Sequence, residues 1–328
     1  MSDKARTSTT LRLVADIGGT NVRFALLPAG SRHPEQETSL LCSDYPGLEQ
    51  AACHYLAEQG VSTLSEAAVD VATAVVGDVV KLTNSPWVFS IEQTRHALGL
   101  TRLLVINDFT ALALSLPLLK PDELRAVGGG SGLKSSPIAL IGAGTGLGVS
   151  GLIPCAGQWV PIQGEGGHTA FSPMDAREDG VLGVLRERFG HVSTERLASG
   201  PGLVSTYEAL CVLDHRPAKS LKPEQITDAG LNGSDPQCAE ALRMFCAVLG
   251  TAAANLVVTL GARGGVYIGG GIVPRLGDYF LHSLFRTRFE QKGRFSNYVS
   301  QVPVWIIVAE NPALRGLAAA LETGFTNA

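Results

Sequence analysis

The pattern of hydrophobic positions predicts alternating strands and helices along most of the chain. Short apolar runs bounded by glycine or polar turns are typical of strands, and longer runs with helical periodicity are typical of helices. A β-hairpin is predicted where the apolar run 11–15 meets the glycine turn 16–21 and the second run 22–27. Further strands are predicted at 67–76, 79–83 and 103–106, and helices at 45–59, 91–98 and 109–116, where Pro117 ends the pattern.

A second hairpin is predicted in the middle of the chain. Strand 138–141 leads into Gly142-Ala-Gly-Thr-Gly146, and the run 147–153 follows. At an offset of 125 residues (145 − 20), Gly19-Thr20-Asn21-Val22 matches Gly144-Thr145-Gly146-Leu147. The short match indicates either two related α/β lobes, each offering a glycine turn to a shared cleft, or a chance similarity.

The remaining pattern contains one linker, one more glycine turn and two long helices. The glycine- and serine-rich segment 128–136 is predicted to be a flexible linker by its composition. Gly269-Gly270-Gly271 follows the apolar run 266–268. A long buried helix is predicted at 239–259, and a final helix at 311–321 that packs back on the first lobe.

Composition points to a two-lobed globular protein with unusually many glycines. A chain of 328 residues exceeds one typical hydrophobic core. Glycine makes up 38 of 328 residues, about 12%, against about 7% in average proteins. Such an excess is typical of loops where backbone approaches a ligand closely.

Charge, hydropathy and cysteine spacing exclude several classes of protein. The net charge of −4 with no basic stripe argues against binding nucleic acid or an anionic membrane. The most apolar stretch, 251–273, is interrupted by Arg263 and six glycines, so no membrane span is predicted. The six scattered cysteines form no Cys-x-x-Cys pair and are expected to be buried free thiols. We therefore expect a soluble, cytoplasmic protein.

The glycine turns match neither common nucleotide-binding loop. No lysine follows a glycine, which excludes a Walker loop, and the Gly142 segment lacks the third glycine and the following helix of a Rossmann fingerprint. The turns are either ordinary tight hairpins or nests of backbone N–H groups that bind phosphate. Thr20 and Thr145 would add hydroxyl donors, and the Asp16 carboxylate suits Mg²⁺ held through water.

Four polar side chains are candidates for chemistry. Asp108 follows a buried strand and opens a helix, so it is either a helix N-cap or a general base in phosphoryl transfer. Glu165 and His168 share a glycine-rich loop suited to several hydroxyl contacts, although an isolated histidine is more often structural. Glu195 fits the first turn of a helix capped by Ser193.

Six segments together resemble the bacterial glucokinase family, in its ATP-dependent group without zinc. They follow the family order over nearly the whole chain, and their combination is far more specific than any one of them. The segments are Ala-Asp16-Ile-Gly-Gly-Thr-Asn21, Ile-Asn107-Asp-Phe-Thr-Ala111, Gly142-Ala-Gly-Thr-Gly-Leu-Gly148, Gly164-Glu-Gly-Gly-His168, Glu195-Arg-Leu-Ala-Ser-Gly-Pro-Gly202 and Gly269-Gly-Gly-Ile-Val-Pro274.

The resemblance implies an α/β, two-lobed, actin-like (ribonuclease-H-like) sugar kinase fold with a cleft between the lobes. The lobes would be 1–117 with 310–328, and 118–309, and a homodimer is expected. ATP would phosphorylate the 6-hydroxyl of glucose, with Asp108 as catalytic base and Mg²⁺ near Asp16. Substrate-binding residues would be Asn84, Asn107, Asp108, Glu165, His168 and Glu195. Nucleotide-binding residues would be Ala15, Asp16, Ile17, Gly18, Gly19, Thr20, Gly142, Gly144, Thr145, Gly146, Gly269, Gly270 and Gly271.

Two departures and two rival functions accompany the resemblance. Thr169-Ala-Phe-Ser-Pro173 follows His168 where related kinases carry a cysteine-rich zinc motif, so zinc is not expected. Val75-Val76-Gly77-Asp78 lacks the proline that close relatives often have before the glycine–aspartate pair. The rivals are a kinase for another hexose or with polyphosphate as donor, and a sugar-responsive regulator that no longer catalyses.

Overall fold

The structure is a computed structural model that describes residues 11–28, 30–83, 85–323 and 325. The chain forms two compact units. Unit 1 contains the described residues up to Leu119 and again from Ala309, and unit 2 is Lys120–Val308.

Unit 1 is built on a five-stranded sheet with the order β3-β2-β1-β4-β7. The first two strands form the predicted antiparallel hairpin, whereas β1, β4 and β7 run parallel. The strands are β1 (Leu11–Ile17), β2 (Asn21–Pro28), β3 (Glu35–Leu41), β4 (Glu66–Val71), β5 (Val79–Lys81), β6 (Val88–Ser90) and β7 (Arg102–Asn107). The helices are α1 (Leu48–Glu58), α2 (Ile91–Ala97), α3 (Asp108–Ser115) and, later in the chain, Pro312–Glu322.

The parallel strands of unit 1 end together at one edge of the sheet. Ile17 pairs with Val71, and Val71 pairs with Asn107. Strand β4 therefore stops at Val71, before the predicted end at residue 76, because neither neighbour continues beyond this register. Ligands of open α/β sheets bind at such carboxyl edges.

Unit 2 is built on a six-stranded sheet with the order β11-β10-β9-β12-β13-β8. Its strands are β8 (Leu124–Gly128), β9 (Ile138–Ala143), β10 (Leu147–Cys155), β11 (Gln158–Gly164), β12 (Gly265–Gly269) and β13 (Val304–Ile307). Its helices are α4 (Ala176–Phe189), α5 (Gly200–Leu213), α6 (Pro223–Asn232), α7 (Pro236–Leu260), α8 (Ile272–Leu276), α9 (Asp278–Leu281), α10 (Phe285–Glu290) and α11 (Ser296–Ser300). The helix Pro312–Glu322 of unit 1 is α12.

The two sheets share one topology over five strands. In each, an antiparallel three-stranded meander, β1-β2-β3 or β9-β10-β11, is followed by two strands parallel to its first member. The glycine turns matched in the sequence join the first and second strands of the two meanders. The match at 125 residues therefore reflects two units of the same architecture.

The long helix α7 forms the centre of the core of unit 2. Its N-terminus is capped by the Asp235 side chain, which accepts hydrogen bonds from the backbone of Gln237 and Cys238. By length and composition α7 could cross a membrane, but 72% of its most apolar window is buried inside the protein. Burial against its own unit accounts for the hydropathy of this helix, because a core helix is apolar on most of its faces.

Two expectations from composition are wrong. Segment 128–136 is not a flexible linker, because it joins β8 to β9 inside unit 2 and is held by backbone hydrogen bonds from Gly130 to Gln301 and from Leu133 to Arg263. All six cysteines are free thiols, but Cys53 and Cys155 are exposed rather than buried.

Helix α12 packs in unit 1, as predicted, and lies unusually close to α3. A Cβ atom at Gly316 would lie 1.7 Å from the carbonyl oxygen of Ala111. The two helix backbones therefore touch directly, and only glycine fits at this position.

Replacing Gly316 by alanine is expected to destabilise unit 1. The added methyl group must separate α3 and α12, and overpacking of this kind costs about 1–3 kcal/mol or more. Urea unfolding followed by circular dichroism measures the loss. Gly183→Ala, inside helix α4 and with nothing within 4 Å of the added methyl group, is the matched control for a glycine-to-alanine change in a helix; an equal change of stability in both variants would contradict the packing argument.

Candidate active site

The carboxyl edge of the unit 1 sheet carries Asp16 beside a glycine turn. Asp16 lies near the end of β1, and its Oδ2 accepts a hydrogen bond of 3.0 Å from Arg23 Nη1. The turn closes with a bond from Gly18 N to Asn21 O, which leaves Gly19 and Thr20 exposed at its tip. This arrangement keeps one carboxylate and an exposed backbone turn at the same strand end.

Asp70 is a residue of this edge that the sequence analysis missed. It pairs in register with Asp16 and is fully buried. Neither of its carboxylate oxygens has a hydrogen-bond partner in the part of the chain that the structure describes. Burial, followed by the negative charges of Asp16 and Asp108, raises the pKa of Asp70 well above its usual range, although Arg23 opposes this.

Replacing Asp70 by asparagine is expected to stabilise the protein at alkaline pH. Folding favours the protonated form of Asp70, because the pKa of this group is raised in the folded protein. The free energy of unfolding of the wild type therefore falls as the pH rises above 3.8, the usual pKa of aspartate. We expect the variant to be more stable by about 1–3 kcal/mol at pH 8, the range for a buried group without a partner. Its advantage should shrink towards pH 4.

Urea unfolding at several pH values, without divalent cations, measures this difference. Asp44→Asn, at an exposed aspartate, controls for the loss of one negative charge. A difference between wild type and Asp70→Asn that does not depend on pH would contradict the assignment.

Asn107, and not Asp108, caps helix α3. The Asn107 side-chain oxygen accepts hydrogen bonds from the N–H groups of Phe109 and Thr110 at 2.9 and 3.4 Å. Asp108 is the first helical residue, and its Oδ1 accepts from Phe109 N at 2.9 Å. The N-cap alternative for Asp108 is therefore wrong. The Asn107 side chain also donates a hydrogen bond of 3.4 Å from Nδ2 to Thr73 O.

Asn84, the other predicted sugar-binding asparagine, lies outside the described residues.

In unit 2 the two remaining glycine turns contact each other through their backbones. A Cβ atom at Gly142 would lie 2.5 Å from the carbonyl carbon and oxygen of Gly269. A Cβ atom at Gly270 would lie 2.4 Å from Ala143 O, and its φ of +77° also favours glycine. The structure thus brings together 142–146 and 269–271, two of the segments predicted to bind nucleotide.

The loop with Glu165 and His168 packs on the strand that follows the first of these turns. Its 3₁₀ turn Gly166–His168 lies so close to β10 that a Cβ atom at Gly167 would be 2.0 Å from Leu147 O. The Glu165 and His168 side chains are both exposed. Gly166 and Gly167 therefore pack the loop closely against β10, while its two polar side chains face solvent.

Glu195, in a later segment of the chain, also contacts the start of β10. It lies in the 3₁₀ turn Thr194–Arg196, and the Ser193 side chain makes no cap there, so its predicted role as a capped helix acid is wrong. Its Oε2 accepts a hydrogen bond of 2.8 Å from Leu147 N, the first residue after the turn 142–146. Glu165, His168 and Glu195 thus all belong to segments that contact the start of β10.

The glycine turns offer backbone N–H groups to the phosphates of ATP, and the carboxylates offer oxygen ligands to Mg²⁺. The space beside Gly144 and Gly271 is open, so a ligand can approach the backbone there. Phosphate oxygens suit the N–H groups of such turns. No group of three His, Cys, Asp or Glu side chains in the described ranges could hold a metal directly. A single carboxylate such as that of Asp16 is the kind of ligand that Mg²⁺ binds while it keeps most of its water ligands.

The order of these segments along the chain is that of one enzyme family. The family model described as Glucokinase matches residues 13–324. The chain belongs to the glucokinase family. Membership confirms the sequence-based assignment of family and of enzyme class, the ATP-dependent hexose kinases.

Glucokinases of known sequence and structure resemble the chain over nearly its full length. The glucokinase of Chromobacterium violaceum is 53% identical over 310 residues, which cover 94% of this chain and 89% of that protein. That of Aromatoleum aromaticum is 51% identical over 312 residues, with coverages of 95% and 94%. The crystal structure of a glucokinase from an Antarctic psychrotroph superposes with a TM-score of 0.87 at 36% identity, covering 95% and 98%. The actin-like α/β fold class is therefore confirmed.

Proposed function

We propose that this glucokinase-family protein transfers the γ-phosphoryl group of ATP to the 6-hydroxyl of glucose. The products are glucose 6-phosphate and ADP, and the hydroxyl proton goes to the enzyme. The full-length family match supports the reaction class. The position of Asp108, beyond the capping residue at the carboxyl edge of a parallel sheet, supports its role as the base.

Asp108 would take the proton as the sugar oxygen attacks phosphorus. Asn107 caps α3 with its oxygen, so the direction of the helix and the position of Asp108 do not depend on the Asp108 carboxylate. General-base assistance of this kind is typically worth about 10²–10⁴-fold in rate. A helix start that is capped by the neighbouring residue would hold this proton acceptor in a fixed position.

The sugar would be bound by polar side chains, and the phosphates by backbone turns. We assign Asn107, Glu165, His168, Glu195 and Asn84 to the hydroxyl groups of glucose. The turns 16–20 and 142–146 would donate N–H groups to phosphate, and 269–271 would lie on the nucleoside side. Mg²⁺, when bound near Asp16 through water, would neutralise charge on the transferring group. We also propose a cytoplasmic homodimer.

The decisive experiment is the formation of glucose 6-phosphate by the purified protein, coupled to a dehydrogenase. Each of glucose, ATP and Mg²⁺ is omitted in turn, and polyphosphate replaces ATP. Mannose, fructose and glucosamine replace glucose in a parallel assay with ATP that measures the ADP formed. Turnover that requires all three components supports the proposal. Turnover only with another donor or another hexose would assign the protein to a different sugar kinase, and binding without turnover would favour a regulator.

A further inference from the structure

We propose that the Glu195 carboxylate positions the phosphate-binding turn 142–146 as well as contacting the sugar, and so couples the two substrate sites of unit 2. The inference rests on the proposed function, because it assumes that glucose and ATP are the two ligands. It assigns the two oxygens of Glu195 to different tasks.

One carboxylate oxygen of Glu195 is hydrogen-bonded to the residue that directly follows the turn. Glu195 Oε2 accepts from Leu147 N at 2.8 Å, and hydrogen bonds to an ionised acceptor are stronger than those between neutral groups. Oε1 has no hydrogen-bond partner among the described residues, and Glu195 is only half-buried. A sugar hydroxyl can therefore bond to Oε1 without displacing the turn.

The turn is attached to the Glu195 segment at a second point. Gly200 N, at the start of α5, donates to Gly144 O at 2.8 Å. Inside the turn, Gly144 N donates to Gly146 O at 2.8 Å. These bonds hold the two ends of the turn and leave the N–H groups of Thr145 and Gly146, at its tip, directed to no acceptor in the described part of the chain. The tip is the part that a phosphate group would contact.

The Glu195 segment is also attached to the sugar-binding loop. Thr194 donates to Thr169 O through both its N–H, at 2.9 Å, and its hydroxyl, at 3.2 Å. The next residue after His168 is thus tied to the residue before Glu195. Displacement of the loop by sugar binding would therefore reach the turn through Glu195.

Gly146 provides independent support for a close contact. A Cβ atom there would lie 2.6 Å from Glu195 Oε2, so any other residue would push the carboxylate away from Leu147 N. The φ of Gly146 is not in the left-handed region that would itself demand glycine. A side chain at this position would therefore displace the Glu195 carboxylate in particular.

The test is the affinity for the ATP analogue AMP-PNP with Mg²⁺ in the absence of sugar, measured by calorimetry. A residue that only contacts sugar would not affect this value. We expect Glu195→Ala to raise the Kd for AMP-PNP about tenfold, because the turn loses the charge-assisted hydrogen bond that orients it before the nucleotide binds. Gly146→Ala should act in the same direction. Glu195→Gln, whose amide oxygen can still accept from Leu147 N, should restore most of the affinity.

Glu165→Ala is the matched control. Glu165 is a second proposed sugar ligand, and its side chain makes no bond to the turn within the described residues. It should weaken glucose binding and leave the Kd for AMP-PNP without sugar within twofold of wild type. Melting temperatures of all variants show whether each is folded.

The outcomes separate this inference from the proposed function. An unchanged Kd for AMP-PNP in folded Glu195→Ala overturns the coupling role, even if the wild type makes glucose 6-phosphate. A folded wild type that binds AMP-PNP but does not phosphorylate glucose overturns the proposed function alone. Equal losses in Glu165→Ala and Glu195→Ala would show a general effect of removing acidic groups and would also overturn the coupling role.

Discussion

Replacing Asp108 by asparagine is expected to lower kcat by about 10²–10⁴-fold, roughly 3–5 kcal/mol in the activation barrier. The amide cannot accept the proton of the attacking 6-hydroxyl. The KM for glucose should change much less, because an amide of the same shape retains the hydrogen-bonding contacts of the ground state. An effect confined to kcat is the signature of an interaction made only in the transition state.

The structure also predicts that this variant folds. Asn107 supplies the cap of α3, and the oxygen of an asparagine at 108 can still accept from Phe109 N as Asp108 Oδ1 does. Loss of activity would therefore not reflect loss of the helix. Steady-state kinetics and thermal unfolding of the same preparation test both points. Asp122→Asn, at an exposed acid in the 3₁₀ turn Pro121–Glu123, is the control; near-normal turnover of Asp108→Asn would refute the assignment.

Replacing Arg288 by methionine is expected to destabilise unit 2 by about 3–5 kcal/mol, because it leaves a buried carboxylate without its counter-charge. Arg288 Nη2 donates to both carboxylate oxygens of Glu178, at 2.7 and 2.8 Å, and the two side chains are 9% and 2% exposed. Glu178 also accepts from Met174 N at 2.7 Å. The pair thus joins the start of α4 to α10.

A second substitution distinguishes broken pairing from poor packing. The double variant Glu178→Leu with Arg288→Met removes both charges, and such exchanges are often neutral or stabilising. It should recover most of the lost free energy of unfolding in urea. Arg188→Met, which breaks an exposed pair with Glu208, should cost no more than about 1 kcal/mol. A double variant as unstable as Arg288→Met would contradict the electrostatic explanation.

Local patterns were sufficient to predict the two hairpins and five of the twelve described α-helices, namely α1, α2, α3, α7 and α12. Apolar runs bordering glycine turns mark β1–β2 and β9–β10 because neighbouring antiparallel strands need only a short connection. The end of β4 was predicted too late, since it is determined by the lengths of β1 and β7 rather than by its own residues. Strand ends that depend on pairing partners are not visible in a local pattern.

Glycine-rich composition was misleading where glycine serves close backbone approach. Segment 128–136 has the composition of a linker, but a Cβ atom at Gly132 would lie 2.1 Å from Gly264 O. The residues in contact are more than a hundred positions apart in the chain. No local signal distinguishes a glycine needed for packing from one in a flexible segment.

The candidate site was predicted from exposed and glycine-flanked residues, and the sequence analysis did not include the buried residue Asp70 beside it. Asp70 interrupts an otherwise apolar strand, which was the available signal, but its significance depends on register with Asp16. The bond between Glu195 and Leu147 spans 48 residues and requires the 3₁₀ turn that replaced the predicted helix. Motifs indicate candidate site residues, whereas the contacts between motifs come only from the tertiary structure.

Because α12 follows unit 2 in sequence but packs in unit 1, the two units complete their folding in a fixed order during synthesis. Unit 2 is continuous in sequence, so all of its strands and helices have been synthesised before α12 is made. Unit 1 reaches its complete core only after that helix packs on β1, β4 and α3. The part of unit 1 that is synthesised first lacks α12 on its sheet while nearly two hundred more residues are translated. We therefore expect the first unit to be synthesised to be the second to finish folding, and the nascent chain to depend on chaperones during that interval.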